Sequence, residues 1–244
     1  MKDQTTKALA MKLQSQRFED WKHSNTDPLK VFAFLKLDKH DILTNPGLTS
    51  WFNYLDDFNA RKPSQGMTRM EALSNGLNDR GLAKVLEAGM QGRGKTKAIA
   101  TKLEKQLFAE WETKQYAPDR IFQAVGLKNF YGGATEPILS DPALKFWVRY
   151  MNEFNTKHPD KRTTIFETLR KNYGDEALVG MLVATKKAPK TKTAAKSLES
   201  QLLRKWLRDG LQPKEVVLWM NKDKSGEILN TYTRLFQAKW PNSA

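Results

Sequence analysis

The sequence contains no cysteine and only three histidines, His23, His40 and His158. Without cysteine, the chain cannot form disulfides, zinc–thiolate sites, iron–sulfur clusters or a cysteine nucleophile. The histidines are far apart, and none belongs to an H-x-x-x-H or H-x-H spacing. We therefore expect no metal site and no cofactor.

Long hydrophobic runs are missing as well. A membrane-spanning helix needs roughly 18 or more apolar residues, and even the apolar stretch at residues 216–220 is far too short. The first four residues, MKDQ, lack the apolar segment of a signal peptide. We expect no membrane span, and a protein that is either intracellular or has lost its signal.

The residues that are present indicate a basic protein with a packed core. The 244 residues include 41 Lys and Arg against 27 Asp and Glu, giving a net charge of +14, and 39% are hydrophobic. That hydrophobic content argues against general disorder. The basic excess permits nucleic acid or acidic partners, but it is also typical of a lysine-rich helical surface, which is the interpretation we favour.

One pattern, with a leucine eight residues before a tryptophan, occurs three times. Its tryptophans are Trp21, Trp111 and Trp206, which lie 90 and 95 residues apart. The prolines that follow each tryptophan after seven residues are Pro28, Pro118 and Pro213. Helical spacing precedes each tryptophan, and proline suits the first turn of a helix, so each copy predicts a helix, a short turn and a second helix.

A second pattern occurs twice, at residues 45–59 and 141–155. Trp51 and Trp147 occupy the same place in a stripe of apolar residues at helical spacing. Each copy is followed by a Thr-x-x-Glu capping box, at residues 68–71 and 164–167. Further along, Leu77 stands where the second copy has Tyr173. No strand signal occurs, so we expect an all-α chain of tandem helical bundles stacked end to end.

A leucine-rich helix, a tryptophan helix and a tyrosine helix, repeated about every 90 residues, resemble the LWY repeats of oomycete RXLR effectors of the Phytophthora type. The resemblance covers nearly the whole chain, although no R-x-L-R sequence occurs in it. Its structural core signature comprises Leu13, Trp21, Trp51, Leu77, Leu103, Trp111, Trp147, Tyr173, Leu198 and Trp206.

The resemblance also predicts the domain organisation. The first L-W-Y repeat spans residues 1–92, a basic linker 93–97 and the second repeat 98–186. A Lys-rich linker at 187–193 then leads to a truncated third repeat, 194–244, which has the L part and the start of the W part.

By this resemblance, the chain is a secreted virulence protein that enters plant cells and binds a host protein to suppress immunity. Members act in the host cytoplasm, the nucleus or both, and are adaptors rather than enzymes. Some tandem LWY repeats recruit a host protein phosphatase through its scaffold subunit.

Two features suggest other functions. Residues 89–96 match the P-loop pattern, but helical spacing precedes them, so we interpret them as a linker with Gly89 as a helix cap. Residues 177–198 contain no acid. The five lysines in this segment, Lys186, Lys187, Lys190, Lys192 and Lys196, form a candidate basic interaction patch. We favour a solvated hinge here because no aromatic residue is interleaved. The alternative function is a basic, nucleic-acid-binding helical repeat.

Overall fold

The computed structural model describes residues 2–38, 41–128, 138–186, 189 and 191–241, without the side chains of residues 2–11 and 14. In these residues the regular elements are all helices and no strand occurs. The predicted all-α fold class is therefore confirmed.

The first compact unit ends at Thr113 and has five α-helices among its described residues. They are α1 (Lys2–His23), α2 (Pro28–Phe34), α3 (Gly47–Arg61), α4 (Arg69–Gln91) and α5 (Gly94–Thr113). Short 3₁₀ helices occur at Ile42–Thr44 and Pro63–Gln65. The longest interface of this unit runs between α4 and α5, and the Ile42–Thr44 segment packs against both helices.

The second compact unit begins at Lys114 and contains six α-helices in its described part. They are α6 (Pro118–Ala124), α7 (Pro142–Lys157), α8 (Ile165–Lys186), α9 (Lys192–Asp209), α10 (Pro213–Val216) and α11 (Glu227–Lys239). The 3₁₀ helices are Ile138–Ser140, Pro159–Lys161 and Val217–Lys222. Helix α9 and the Val217–Lys222 segment both pack against α8.

Local sequence signals fix where several helices begin. Proline opens α2, and the Asp27 carboxylate accepts a hydrogen bond from the backbone N–H of Leu29 at 2.7 Å. Thr68 and Glu71 form a complete capping box at the start of α4, as the sequence predicts. These caps satisfy backbone N–H groups that have no partner inside the helix.

Two long helices are kinked at equivalent positions. The backbone of α4 leaves helical geometry at Asn78, with φ of 54°, and α8 does so at Gly174, with φ of 76°. At the first kink, the Asn78 side chain accepts a hydrogen bond from the Gly81 N–H at 2.9 Å and restarts the helix. The kinks occur 96 residues apart, which is the period of the second sequence pattern.

The compact units and the predicted sequence repeats divide the chain differently. The units separate between α5 and α6. Most of the predicted linker at 93–97 forms the first turn of α5, because this helix begins at Gly94. The repeat boundaries deduced from the sequence stay a prediction.

Candidate protein-interaction site

The tryptophans of the second pattern donate a hydrogen bond to the first residue of a neighbouring helix. Trp51 and Trp147 are both 0% exposed. The indole Nε1 of Trp51 donates a hydrogen bond to the Pro28 carbonyl at 2.8 Å, and Trp147 donates to the Pro118 carbonyl, also at 2.8 Å. Both residues are therefore structural, since a buried indole N–H requires a partner and finds it where α2 and α6 start.

A buried tyrosine makes a second repeated contact, which the sequence analysis missed. Its hydroxyl donates a hydrogen bond to the carbonyl two residues before the helix-opening proline. The pairs are Tyr54–Thr26, Tyr150–Tyr116 and Tyr232–Leu211, at 2.6, 2.5 and 2.5 Å. Burial raises the pKa of Tyr232 to about 12. The signal was present in the sequence, because a tyrosine follows both Trp51 and Trp147 after three residues.

Most other residues of the predicted core signature are also buried. These are Leu77, Leu103, Trp111, Leu198 and Trp206. Tyr173 is half-buried, and its hydroxyl donates a hydrogen bond to the Leu127 carbonyl. Tyr173 and Trp147 both lie edge-on to the Phe122 ring, with centroid distances of 6.3 and 5.1 Å. These residues therefore stabilise the bundles and are unavailable for binding a partner.

Leu13 departs from its predicted core position because it is 55% exposed. Trp21 is half-buried, and its ring stacks on the exposed ring of Phe34 at 6.0 Å. In the later copies, α5 lies along α4 and α9 lies along α8.

Lys186, a member of the candidate basic interaction patch, is mostly buried and forms ion pairs within the chain. Its Nζ lies 2.6 Å from Glu199 Oε2 and 3.3 Å from Glu227 Oε1. Burial lowers the pKa of Lys186, but the two carboxylates outweigh that effect and raise it above the usual value. Lys192 and Lys196 are exposed on α9, while Lys187 and Lys190 lie outside the described residues.

A groove of about 710 Å³ lies between α8, α9 and the Val217–Lys222 segment. We call it the α8–α9 groove. Its lining comprises Thr164, Phe166, Glu167, Arg170, Lys171, Gly174, Asp175, Gln201, Arg204, Lys205, Arg208 and Trp219. Five of these residues are basic and two are acidic, so the arrangement favours an anionic partner.

An ion-pair network forms one wall of the groove. Arg170 donates to both oxygens of the Asp175 carboxylate, at 2.6 and 3.1 Å, and this contact raises the pKa of the guanidinium. The indole Nε1 of Trp206 donates to Asp175 Oδ2 at 2.8 Å. Both oxygens of Asp175 thus accept hydrogen bonds, and Trp206 connects this ion pair to the buried face of α9.

The remaining basic residues of the groove differ in whether they already have a counterion. Lys171 pairs with Asp119, and Lys205 pairs with Asp209. Arg204 and Arg208 are exposed and form no ion pair or hydrogen bond with a described residue, although Arg208 adds to the effect of Lys205 in lowering the pKa of the Asp209 carboxyl. Their guanidinium groups are therefore free to bind a ligand.

Comparison with known proteins identifies the family. No family model matches the chain. RxLR effector protein PSR2 of Phytophthora infestans is 31% identical over 239 residues, covering 97% of this chain and 31% of that protein. PSR2 of Phytophthora sojae is 31% identical over 225 residues, covering 91% of this chain and 33% of that protein. This chain belongs to the oomycete RxLR effectors.

The effector chain spans about a third of the length of these curated relatives. It also matches the crystal structure of PcRxLR12 with a TM-score of 0.61 and 26% sequence identity, over 99% of this chain and 59% of that one. The family that the repeat pattern resembles is thereby confirmed.

The P-loop pattern of the effector chain forms no phosphate-binding loop, because the residues before it belong to α4 and not to a strand. Gly89 lies inside α4, and the helix ends at Gln91 with Gly92 as its cap, so the predicted capping role of Gly89 is wrong. The described residues contain no group of three or more acidic or histidine side chains suited to a metal ion. Of the described helices, none is long and apolar enough to cross a membrane.

Proposed function

We propose that the protein is a secreted virulence effector that enters plant cells and suppresses immunity by binding a host protein, without catalysing a reaction. The observation that carries this proposal is the similarity to RxLR effectors over 97% of the chain. The relatives are named as effector proteins and not as enzymes. The host cytoplasm and nucleus are both candidate compartments.

The buried and the exposed residues have different roles, and this difference supports an adaptor. The repeated tryptophans and tyrosines are buried and hold helix starts, so they specify the scaffold. The α8–α9 groove combines open guanidinium groups with a partly exposed tryptophan, Trp219. Arginine and tryptophan are enriched at the energetic centres of protein interfaces.

A host protein phosphatase is the first candidate partner, reached through its scaffold subunit. The resemblance to tandem LWY repeats supports this candidate, since some of these repeats recruit that subunit. Helical repeats present a rigid surface, which reduces the conformational entropy lost on binding. Binding of the purified scaffold subunit to the purified chain tests the candidate directly.

A second candidate function, nucleic-acid binding, is favoured by the net charge of +14. It predicts an affinity that falls steeply with salt, because each phosphate contact releases bound counterions. A protein interface with an apolar centre has a weaker salt dependence.

The deciding experiment is affinity purification of the tagged chain from plant cells, with nuclease treatment and mass spectrometry. Untagged chain serves as competitor. We expect one host protein that is recovered saturably, resists nuclease and is displaced by the competitor. Recovery of many proteins that disappear with nuclease would instead establish the nucleic-acid alternative.

A further inference from the structure

We propose that the α8–α9 groove binds an acidic segment of a partner protein, with carboxylates of that segment paired to Arg204 and Arg208. The proposal rests on the proposed function, because it assigns the protein-binding role to one site and gives the chemistry of its partner.

The first argument is the distribution of unpaired charge. Among the five basic residues of the groove, Arg170, Lys171 and Lys205 already contact carboxylates of the same chain. Arg204 and Arg208 form no ion pair with a described residue, and Arg208 interacts with the Asp209 carboxylate only at longer range. They lie one turn apart on one face of α9, where like charges repel each other. Carboxylates from outside would remove that repulsion and match the planar donor geometry of each guanidinium.

The second argument comes from the repeat itself. The tryptophans that align the copies place Arg204 at the position of Ala109 in α5, and Arg208 at the position of Thr113. The same helix of the same repeat type therefore forms without either arginine. Both side chains are exposed and form no ion pair with a described residue, so the packing of the described part of the chain does not account for the two arginines.

The groove also has an apolar floor beside the arginines. The half-buried ring of Trp219 packs on the Trp206 ring, with a centroid distance of 5.5 Å. Val217 and Leu218, the two residues before Trp219 in the chain, are 45% and 70% exposed but do not line the groove. An apolar side chain of the partner segment would cover this floor while neighbouring carboxylates reach the guanidinium groups.

This combination fits a peptide better than a nucleic acid. Sequence-tolerant binding of a single strand requires a continuous run of cations along the backbone and several stacking aromatics. The groove offers two unpaired cations and one partly exposed indole, and it also contains the carboxylates of Glu167 and Asp175. Both carboxylates already accept hydrogen bonds within the chain, Glu167 from Thr164, and Asp175 from Arg170 and Trp206.

A variant of α9 that carries the residues of α5 tests the proposal. The double substitution Arg204→Ala/Arg208→Thr gives α9 the residues that α5 has at the same positions, so the fold should be retained. A phage library of random peptides is selected on the wild-type chain, and the enriched peptides are then measured by fluorescence anisotropy on both chains. Circular dichroism and the melting temperature establish that the variant is folded.

We expect enrichment of peptides rich in Asp and Glu that carry an aliphatic or aromatic residue. Their affinity should fall about tenfold or more in the double variant, as expected for the loss of two charge-assisted contacts. Replacing Glu by Gln in an enriched peptide should cause a similar loss on the wild-type chain.

Several outcomes would overturn the proposal. They are an absence of enriched peptides, enrichment of peptides without acidic residues, or acidic peptides that bind the double variant equally well. A single-stranded oligonucleotide that binds more tightly than the acidic peptides, and depends on both arginines, would overturn it as well. Affinity purification of the double variant separates the two hypotheses. A host protein still recovered with the variant would refute only the groove, whereas no saturable host protein with the wild type would refute the proposed function.

Discussion

Replacing Gly89 by alanine should destabilise the first compact unit, although alanine is the better helix former. A Cβ atom built at Gly89 lies 2.7 Å from the Ala100 Cβ and 2.4 Å from Leu43 Cδ1. Favourable carbon–carbon contacts lie at about 3.5–4.0 Å. The leucine can rotate away, but the Ala100 Cβ is fixed to the backbone of α5, so α4 and α5 must separate by about 1 Å to restore such a distance.

The magnitudes decide the sign of this effect. Overpacking in a close-packed interior costs about 1–3 kcal/mol. Replacing glycine by alanine inside a helix stabilises the helix by about 1 kcal/mol. We therefore expect Gly89→Ala to lower the free energy of unfolding by about 1 kcal/mol, which corresponds to a melting temperature lower by about 3 °C for a chain of this length.

Gly81→Ala in the same helix is the matched control. A Cβ at Gly81 meets its nearest atom, the Leu77 Cβ, at 3.4 Å, which is ordinary contact. Only the helix-propensity gain remains, so this variant should be more stable by about 0.5–1 kcal/mol. Urea unfolding followed by circular dichroism measures both variants. Gly89→Ala with wild-type or greater stability would refute the close packing of α4 on α5 at this glycine.

Three further measurements test other parts of the structure. Tyr150→Phe removes a hydrogen bond in the core and should lower the free energy of unfolding by about 1–2 kcal/mol in urea titrations; an unchanged midpoint would contradict the bond. The phenol of Tyr232 has a pKa of about 12 in the folded chain, above its ordinary value of 10.0, so its stabilising effect should be complete below pH 10 and decline as the pH approaches 12. The free energy of unfolding is measured for the wild type and for Tyr232→Phe across that pH range. The difference between the two should stay constant if the phenol has its ordinary pKa. Lys186→Met leaves the Glu199 carboxylate without its close cation and should cost about 2 kcal/mol, whereas the exposed Lys192→Met should change stability by less than about 0.5 kcal/mol; equal effects would show that the ion pair is absent.

The sequence predicted the scaffold because its signals are local and repeated. Proline positions predicted the starts of α2 and α6, and the apolar stripe at helical spacing predicted that Trp51 and Trp147 are buried. The same alignment contained Tyr54 and Tyr150. The equivalent hydrogen bond that each of them donates was missed, because the acceptor carbonyl lies about 30 residues away in the chain. Periodicity reveals that a side chain is buried but not which carbonyl its polar atom reaches.

The candidate site could not be predicted to the same extent. Lysines counted along the chain made a basic patch one candidate beside the favoured solvated hinge, but Lys186 pairs with two glutamates of the same chain. The groove with Arg204 and Arg208 was not recognised at all, since surface arginines at helical spacing carry no signal of what faces them. Leu13 matched the leucine pattern and is exposed, because a pattern does not show whether another helix covers it.

The sequence by itself determined the helical class, the repeat period and the family, because each depends on residues close together in the chain or recurring at a fixed distance. Tertiary structure alone decided which charges are neutralised, which apolar residues are covered and where α8, α9 and Trp219 enclose a groove. The physical reason is that an ion pair or a cavity depends on distances between distant segments. Those distances follow from how the helices pack.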